Sequence, residues 1–211
     1  MFSKTGEFDR EPEFRLPSPT ERGGMSLAEA IARRRSVRRY GRECLPLSHL
    51  SKVLWAAQGI TDTHGLRAAP SAGATYPLEV FVLIGRDSVD GVDEGLYHYD
   101  VEGHSLHRYK RGDLRRQLSI AALGQEFIAE APVAIVICAL YERTSWRYGK
   151  RAERYVHMEA GHVGENIHLQ AVALGLAAVM VGAFSDEDVS KAMDMGKEAN
   201  PLYIIPVGKP R

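Results

Sequence analysis

One stretch of the sequence carries a helical apolar pattern that is long for a chain of 211 residues. Its apolar positions recur every three or four residues, as one face of an α-helix requires; they are Val156, Ala160, Val163, Ile167, Ala171 and Leu174. A helix over residues 152–174 would be roughly 35 Å long at 1.5 Å per residue. We therefore expect this helix to extend beyond the core of one subunit and to form a subunit interface.

Apolar segments of strand length surround this helix. They are residues 78–84, 133–140, 177–184 and 202–207. Continuous apolar runs of this length are typical of strands that are buried on both faces. Residues 95–109 alternate around Glu102-Gly103, which predicts a β-hairpin. Together with the helical patterns, these strands predict an α+β fold with one mixed sheet covered by helices.

Shorter helices are predicted from their start and stop signals. A capping box, Ser26 to Glu29, should open a helix that runs to about Arg34. Further helices are predicted from Ser48 up to Gly59, over residues 112–122 and after the cap at Ser185. Residues 1–24 carry three prolines, many charges and a Gly-Gly pair. They are predicted to be an extended arm, followed by a single domain over residues 25–211.

The overall composition excludes several classes of protein. The chain has 27 basic and 27 acidic residues, so no net charge favours nucleic acid or a membrane surface. Cys44 and Cys138 lie far apart without a CxxC motif, the opening residues are polar, and residues 171–184 are too short to span a bilayer. We expect a cytoplasmic protein with neither a nucleic-acid nor a membrane partner.

An arginine-rich segment, RRRSVRRY over residues 33–40, follows the first helix. Arginine forks bind phosphate in a bidentate manner, and Ser36 adds a hydroxyl donor. A solvated helix end, with cations opposite the C-terminal dipole, is the alternative interpretation of this segment. Lys209 and Arg211 in the final GKPR are a frayed end unless the chain returns to these arginines.

The segment PSAG, residues 70–73, has almost no side-chain bulk although prolines stand at positions 70 and 77. An ordinary turn would explain it. The alternative is that a planar group approaches the backbone, which only small residues allow.

Several other sites are absent from the sequence. No Gly-rich dinucleotide or phosphate loop follows a strand, which argues against a Rossmann domain. His157 and His162 are five positions apart and cannot share a helix face, so no metal site is expected. Glu159 and His162 are instead interpreted as a hydrogen-bonded pair within a packed helix.

Six segments, taken in order, resemble the FMN-dependent nitroreductase family, most closely its SagB-type branch of azoline dehydrogenase-like proteins. They are GGMSLAEAIARRRSVRRY, APSAGATYPLEVFV, GLYHYD, RYGKRAERYVHMEAGHVGENIHLQAVALGL, VMVGAF and YIIPVGKPR. They are spread over the whole of residues 23–211. The resemblance implies a nitroreductase-like fold and a homodimer with two FMN sites at its interface.

The resemblance also implies which residues hold FMN. Arg34, Arg35, Ser36 and Arg38 match positions around the phosphate, ribityl chain and pyrimidine edge, and Lys209 and Arg211 match basic positions at the phosphate. Pro70, Ser71, Ala72 and Gly73 match the loop that lies along the flavin, often from the partner subunit. Val181, Gly182 and Ala183 match the segment behind the ring near N5.

One departure from the family concerns the reaction. Azoline-oxidising members carry a Lys-Tyr pair where this chain has Arg147-Tyr148. Arginine stays protonated and is a poor base, which leaves Tyr148 as a proton donor. The sequence therefore favours ping-pong hydride transfer from NAD(P)H to a small acceptor such as a nitro or quinone compound. Peptide thiazoline or oxazoline oxidation and a non-catalytic flavin-binding scaffold are the alternatives.

Overall fold

A seven-stranded sheet runs through the part of the chain that the structure, a computed structural model, describes: residues 14–19, 24–196 and 199–211. Its strands are β1 Phe14–Arg15, β2 Leu78–Ile84, β3 Gly95–Asp100, β4 Ser105–Arg111, β5 Val133–Ala139, β6 Ala177–Ala178 and β7 Asn200–Gly208. The helices are α1 Leu27–Arg33, α2 Leu47–Gln58, α3 Arg115–Ala121, α4 Phe127–Glu130, α5 Glu142–Tyr148, α6 Ala152–Ala173 and α7 Asp186–Met193. Short 3-10 helices occupy Ala72–Ala74 and Gly149–Arg151.

The strand order is β1-β4-β3-β2-β5-β7-β6. Every pairing between these named strands is antiparallel, so the predicted α+β fold is confirmed but its sheet is not mixed. Parallel pairing among the described residues is limited to isolated bridges, such as Ser36 with Ala178. Strand β1 comes from the predicted arm and pairs with β4 at the sheet edge. Residues 1–13 and 20–23 of that arm lie outside the described residues.

Helices cover both faces of the sheet, as the continuous apolar strands predict. Val80, Val82 and Ile84 of β2 belong to the core beneath α2 and α6. Phe81 and Leu83 point to the other core, beneath α3 and α7. This alternation is the two-residue period of a strand that is buried on both sides.

The strand predicted at residues 177–184 is shorter than expected. Regular pairing with β7 stops after Ala178, although a bridge from Val181 to Ile204 keeps the same register. That register places Val179 opposite Pro206, which has no N–H to donate to the ladder. The gap in pairing therefore follows from the proline.

Helix starts agree with sequence signals in two cases and differ in a third. Ser26 and Ser185 accept hydrogen bonds from the backbone N–H groups of Glu29 and Asp188, as N-caps do. Helix α2 instead begins at Leu47 after Pro46, without a side-chain cap, so the predicted start at Ser48 is one residue late. No helix in the described part of the chain is long and apolar enough to cross a membrane.

Candidate functional site

The C-terminal segment returns to the arginine-rich segment and pairs with it. The Gly41 N–H donates to the Lys209 carbonyl at 2.9 Å, and the Arg211 N–H donates to the Arg39 carbonyl at 3.2 Å. Tyr40 and Pro210 form an antiparallel bridge between these two bonds. Lys209 and Arg211 are therefore held beside the arginines and are not a frayed end.

Buried contacts fix the backbone of the arginine-rich segment. Tyr40 is 4% exposed, and this burial raises the pKa of its phenol. Its hydroxyl donates to the Pro206 carbonyl at 3.2 Å. His168 of α6 donates from Nε2 to the Arg35 carbonyl at 3.1 Å. The Val37 N–H donates to Ala178 of β6. The segment is thus anchored to the sheet and to α6 while its arginine side chains stay at the surface.

The arginine side chains themselves point in different directions. Arg34 lies 3.9 Å from the Glu165 carboxylate of α6. Arg35 turns back onto carbonyls at the end of α1, at 2.6 and 3.1 Å. Arg38 lies over the ring of Phe127, with 5.8 Å between the guanidinium carbon and the ring centre. Arg35, Ser36 and Arg38 are exposed. An anion bound here would have to draw these side chains together.

The small-residue segment forms a tight loop with an unusual backbone. Gly73 has φ of 62°, and two residues with side chains, Ala74 and Tyr76, also have positive φ, at 52° and 44°. Such conformations cost free energy outside glycine and persist where surrounding contacts impose them. Ser71 supplies one such contact, since its hydroxyl accepts the Tyr76 N–H at 2.9 Å.

Helix α5 clamps this loop from outside. The hydroxyls of Thr75 and Thr144 lie 2.7 Å apart, and Thr144 is buried. Arg143 donates to the Tyr76 carbonyl at 3.1 Å and forms an ion pair with Glu79 of β2 at 2.5 Å. Burial opposes ionisation of Glu79, but hydrogen bonds and charges from His98 and Arg143 hold its pKa below the usual value.

The same clamp brings two groups of predicted site residues together. A Cβ placed on Gly73 would lie 2.6 Å from the Tyr148 hydroxyl and 3.2 Å from the guanidinium carbon of Arg147. Contacts shorter than 3.0 Å essentially never occur at a real Cβ. A side chain at residue 73 would therefore force the ends of the Tyr148 and Arg147 side chains to move away from the loop.

A buried carboxylate lies beneath the loop and was not predicted as a site residue. Glu159 of α6 is 2% exposed, and burial raises its pKa to about 7, against the opposing influence of Ser71, Gln58 and Arg67. The predicted pair with His162 is wrong, because His162 is exposed and no hydrogen bond joins the two in the described chain. The sequence did contain one indication that Glu159 is buried, because its position falls on the apolar face of α6, next to Ala160.

Other residues that shape the loop also escaped sequence reasoning. Thr75, Thr144 and Arg143 carry no motif, and only the fold shows that they meet. Arg67 stacks on the Tyr76 ring at 4.4 Å and donates to Gln58 at 3.1 Å. No local sequence pattern predicts such contacts, because the residues that meet are far apart in the chain.

The third predicted group, residues 181–183, lies along β7. Val181 is buried and exchanges backbone hydrogen bonds with Ile204 at 2.9 and 3.0 Å, while Gly182 and Ala183 are exposed. The side chain of Gln125 donates to the Ala183 carbonyl at 2.8 Å. A Cβ on Gly182 would make only an ordinary contact at 3.7 Å, so local packing does not require glycine there.

The loop and the arginine-rich segment contact α6 at different heights. Glu159 lies under the loop and His168 holds the Arg35 carbonyl. Glu159 and His168 are nine positions apart, which corresponds to about 13 Å along a helix axis. Within the described residues, no hydrogen bond or ion pair joins the two groups. A site that uses both must bridge this distance or combine groups from two copies.

No group of three or more His, Cys, Asp or Glu side chains that could hold a metal ion occurs among the described residues. The candidate site is therefore built from cations, backbone groups, hydroxyls and one buried carboxyl.

Comparisons with known proteins agree on one family. The sequence model of the nitroreductase family matches residues 31–209. A Methanocaldococcus jannaschii protein named as a nitroreductase is 46% identical over 197 residues, which are 93% of this chain and 96% of that protein. A crystal structure from Ralstonia eutropha, also named as a nitroreductase, has a TM-score of 0.83 at 30% identity and covers 95% of this chain and 90% of that one. The Escherichia coli microcin B17-processing protein McbC is 26% identical over 165 residues, 76% of this chain and 61% of McbC.

Proposed function

Because this chain belongs to the nitroreductase family, we propose that it is a homodimeric, FMN-dependent enzyme that transfers hydride from NAD(P)H to a small nitro or quinone acceptor. The resemblance inferred from the sequence is confirmed at the level of family, fold and oxidoreductase activity. The McbC match agrees with the SagB-type branch.

The return of the C-terminal segment to the arginine-rich segment is the observation that supports FMN best. It places Lys209 and Arg211 beside a run that already contains Arg35 and Arg38. In the described part of the chain, none of these four side chains forms an ion pair with a carboxylate. Such unneutralised cations suit a phosphate, which guanidinium groups bind through paired, charge-assisted hydrogen bonds.

The loop at residues 70–76 suits the planar part of the same cofactor. Its small residues leave backbone groups accessible, and the contacts from α5 and Glu159 restrict its motion before anything binds. Pre-organisation of this kind reduces the entropy lost on binding. When bound, FMN would supply the hydride chemistry, and the protein supplies position and electrostatics.

Tyr148 is placed to handle a proton at the same point. Its hydroxyl lies against Gly73, and its ring is packed edge-on against Tyr155 with 5.0 Å between ring centres. A phenol held in this way can donate a proton to an acceptor that has received hydride. Arg147 remains cationic and does not abstract protons.

Oxidation of a peptide azoline is the second candidate, and the McbC match favours it. It would require proton removal together with hydride loss. Because arginine stays protonated, the Arg147-Tyr148 pair leaves Tyr148 as the remaining candidate for the base.

Purified protein should be yellow, and extraction by heat or acid followed by chromatography should release about one FMN per subunit, as the family's use of a bound flavin leads us to expect. The extracted protein, reloaded with FMN, is then assayed with NADH or NADPH and a quinone, and separately with an azoline peptide. Release of FAD, or no flavin after reconstitution, would refute the cofactor assignment.

Tyr148→Phe separates the two reactions. Reduction of a quinone should fall only modestly, because hydride transfer itself needs no side-chain base. Azoline oxidation should fall by about 10²–10⁴-fold, the usual loss when a base is removed. Azoline turnover by the wild type that collapses in Tyr148→Phe, with no NAD(P)H oxidation by either protein, would select the second candidate.

A further inference from the structure

Three arginines surround the loop at residues 70–76, and hydrogen bonds hold the side chains of two of them. Arg143 is neutralised by Glu79 and bonded to the Tyr76 carbonyl. Arg67 is stacked on Tyr76 and bonded to Gln58. Arg147 differs from Arg143 because no carboxylate among the described residues lies within ion-pair distance of it. It differs from Arg67 because it is exposed and no hydrogen bond holds its side chain within those residues.

Arg147 is exposed, and it packs against the ring of the next residue. Its guanidinium carbon lies 5.6 Å from the centre of the Tyr148 ring. The same carbon would lie 3.2 Å from a Cβ on Gly73, so the charge stands directly at the side-chain-free part of the loop.

The surroundings of Arg147 are also positively charged. Residues 142–154 contain five cations and two carboxylates, and Arg143 is the cation with a carboxylate partner among them. The nearby Glu159 is buried under the loop and, with its pKa raised to about 7, adds little negative charge below neutral pH. The potential at the loop therefore favours an anion.

We propose that Arg147 binds a carboxylate or phosphate of the molecule that reacts at this loop, so that the enzyme's substrate is an anion. This inference rests on the proposed function and names the substrate class for the same site. The guanidinium fork accepts both anions with the same geometry. The anion can belong to the acceptor, as in a nitro- or quinone-carboxylate, or to the donor, as in the 2′-phosphate that distinguishes NADPH from NADH.

Matched ligands test the proposal. 4-Nitrobenzoate and 4-nitrobenzamide share a ring and a nitro group but differ in charge, and NADPH and NADH differ by one phosphate. Binding of each is measured by calorimetry on FMN-loaded protein, and KM by steady-state kinetics. Arg147→Gln should weaken the anionic member of one pair at least about tenfold, the loss of one charge-assisted hydrogen bond, and change its neutral or less charged partner less than about twofold. The affected pair identifies which substrate carries the anion.

Arg154→Gln is the matched control. Arg154 is an exposed cation of the same segment. With His157 and Met158 it lines an open cleft of about 530 Å³. This variant removes the same charge and should change neither pair more than about twofold. Arg147→Lys should restore part of the affinity, because it keeps the charge but loses the fork.

Equal losses for both members of each pair, or no loss at all, would overturn the anion site. Calorimetry separates this result from a failure of the proposed function. Protein that binds 4-nitrobenzoate through Arg147 but oxidises no NAD(P)H keeps the anion site and rejects the reductase activity. Protein that turns over both members of each pair equally well, whatever their charge, keeps the reductase activity and rejects the anion site.

Discussion

Gly73 and Tyr148 meet so closely that a Cβ on residue 73 would lie 2.6 Å from the Tyr148 hydroxyl oxygen. The two residues are 75 positions apart, and they come together because α5 clamps the loop through Thr144 and Arg143. The contact accounts for the glycine in the loop by two independent constraints, the positive φ of 62° and the lack of space.

Gly73→Ala should lower the free energy of unfolding by about 1–3 kcal/mol through left-handed strain and the clash with the hydroxyl. In a Tyr148→Phe background the closest contact is removed and only the Arg147 contacts at 3.2 Å remain, so the loss should shrink. Gly65→Ala is the control, since Gly65 has φ of 80° and a Cβ added there would meet nothing within 4 Å. Urea denaturation of all variants measures the difference. An equal loss at residue 73 in both backgrounds would show that Tyr148 does not set the requirement.

Arg35→Ala, Arg38→Ala and deletion of residues 209–211 should each weaken FMN binding. A charged hydrogen bond to phosphate contributes about 1.5–3 kcal/mol, so each change should raise the Kd by roughly ten- to a hundredfold. Fluorescence titration of apoprotein with FMN gives these constants. Arg33→Ala removes the same charge from a residue paired with Glu29 at 2.6 Å, and it should have little effect. Unchanged affinity in all three test variants would mean that the cluster is a solvated helix end.

Glu159 should make stability depend on pH. Burial raises its pKa to about 7 from 4.5, so the folded state binds a proton that the unfolded state releases between these values. The stability that Glu159 contributes is therefore fully present below pH 4.5 and is lost as the pH rises to about 7, by up to about 3 kcal/mol if the whole shift is expressed. Glu159→Gln should remove this decline and be more stable than the wild type at pH 8.

The measurement is urea denaturation of apoprotein at pH 5, 6, 7 and 8. Glu153→Gln changes an exposed carboxylate on the same helix and should preserve the wild-type slope. Parallel pH curves for the wild type and Glu159→Gln would show that Glu159 is ionised throughout, despite its burial.

A dimer is expected because the loop and the arginine-rich segment lie apart in one chain and because apolar side chains remain exposed near α6. Leu27 and Ile31, one turn apart on α1, are 66% and 57% exposed. Ile31→Glu should therefore shift light scattering toward a monomer and weaken FMN binding, since a charge in an apolar interface is costly. Ile120→Glu changes a residue of α3, on the opposite layer, that is 66% exposed, and it should leave the dimer intact. A stable FMN-loaded monomer of the wild type would refute the expectation.

Local chemistry alone determined much of this protein. The caps at Ser26 and Ser185, strand β2, the β3–β4 hairpin and the long α6 follow from patterns within a few residues of one another. Capping, alternation and helical spacing act over a few neighbouring residues, so they can be recognised in the sequence without knowing which distant segments pack together. The strand predicted to continue past Ala178 failed for the opposite reason, because the residue that interrupts it, Pro206, lies on another strand.

The candidate site depends both on residues that the sequence shows and on contacts that only the tertiary structure creates. The arginines, the PSAG loop and Arg147-Tyr148 stand out in the sequence, but their arrangement depends on which segments pack together. Only the tertiary structure decided that Lys209 and Arg211 return to the arginines, that Thr144 meets Thr75, and that Glu159 lies under the loop and not beside His162. These contacts join residues tens of positions apart, and their free energy comes from burial and desolvation, which no short stretch of sequence contains.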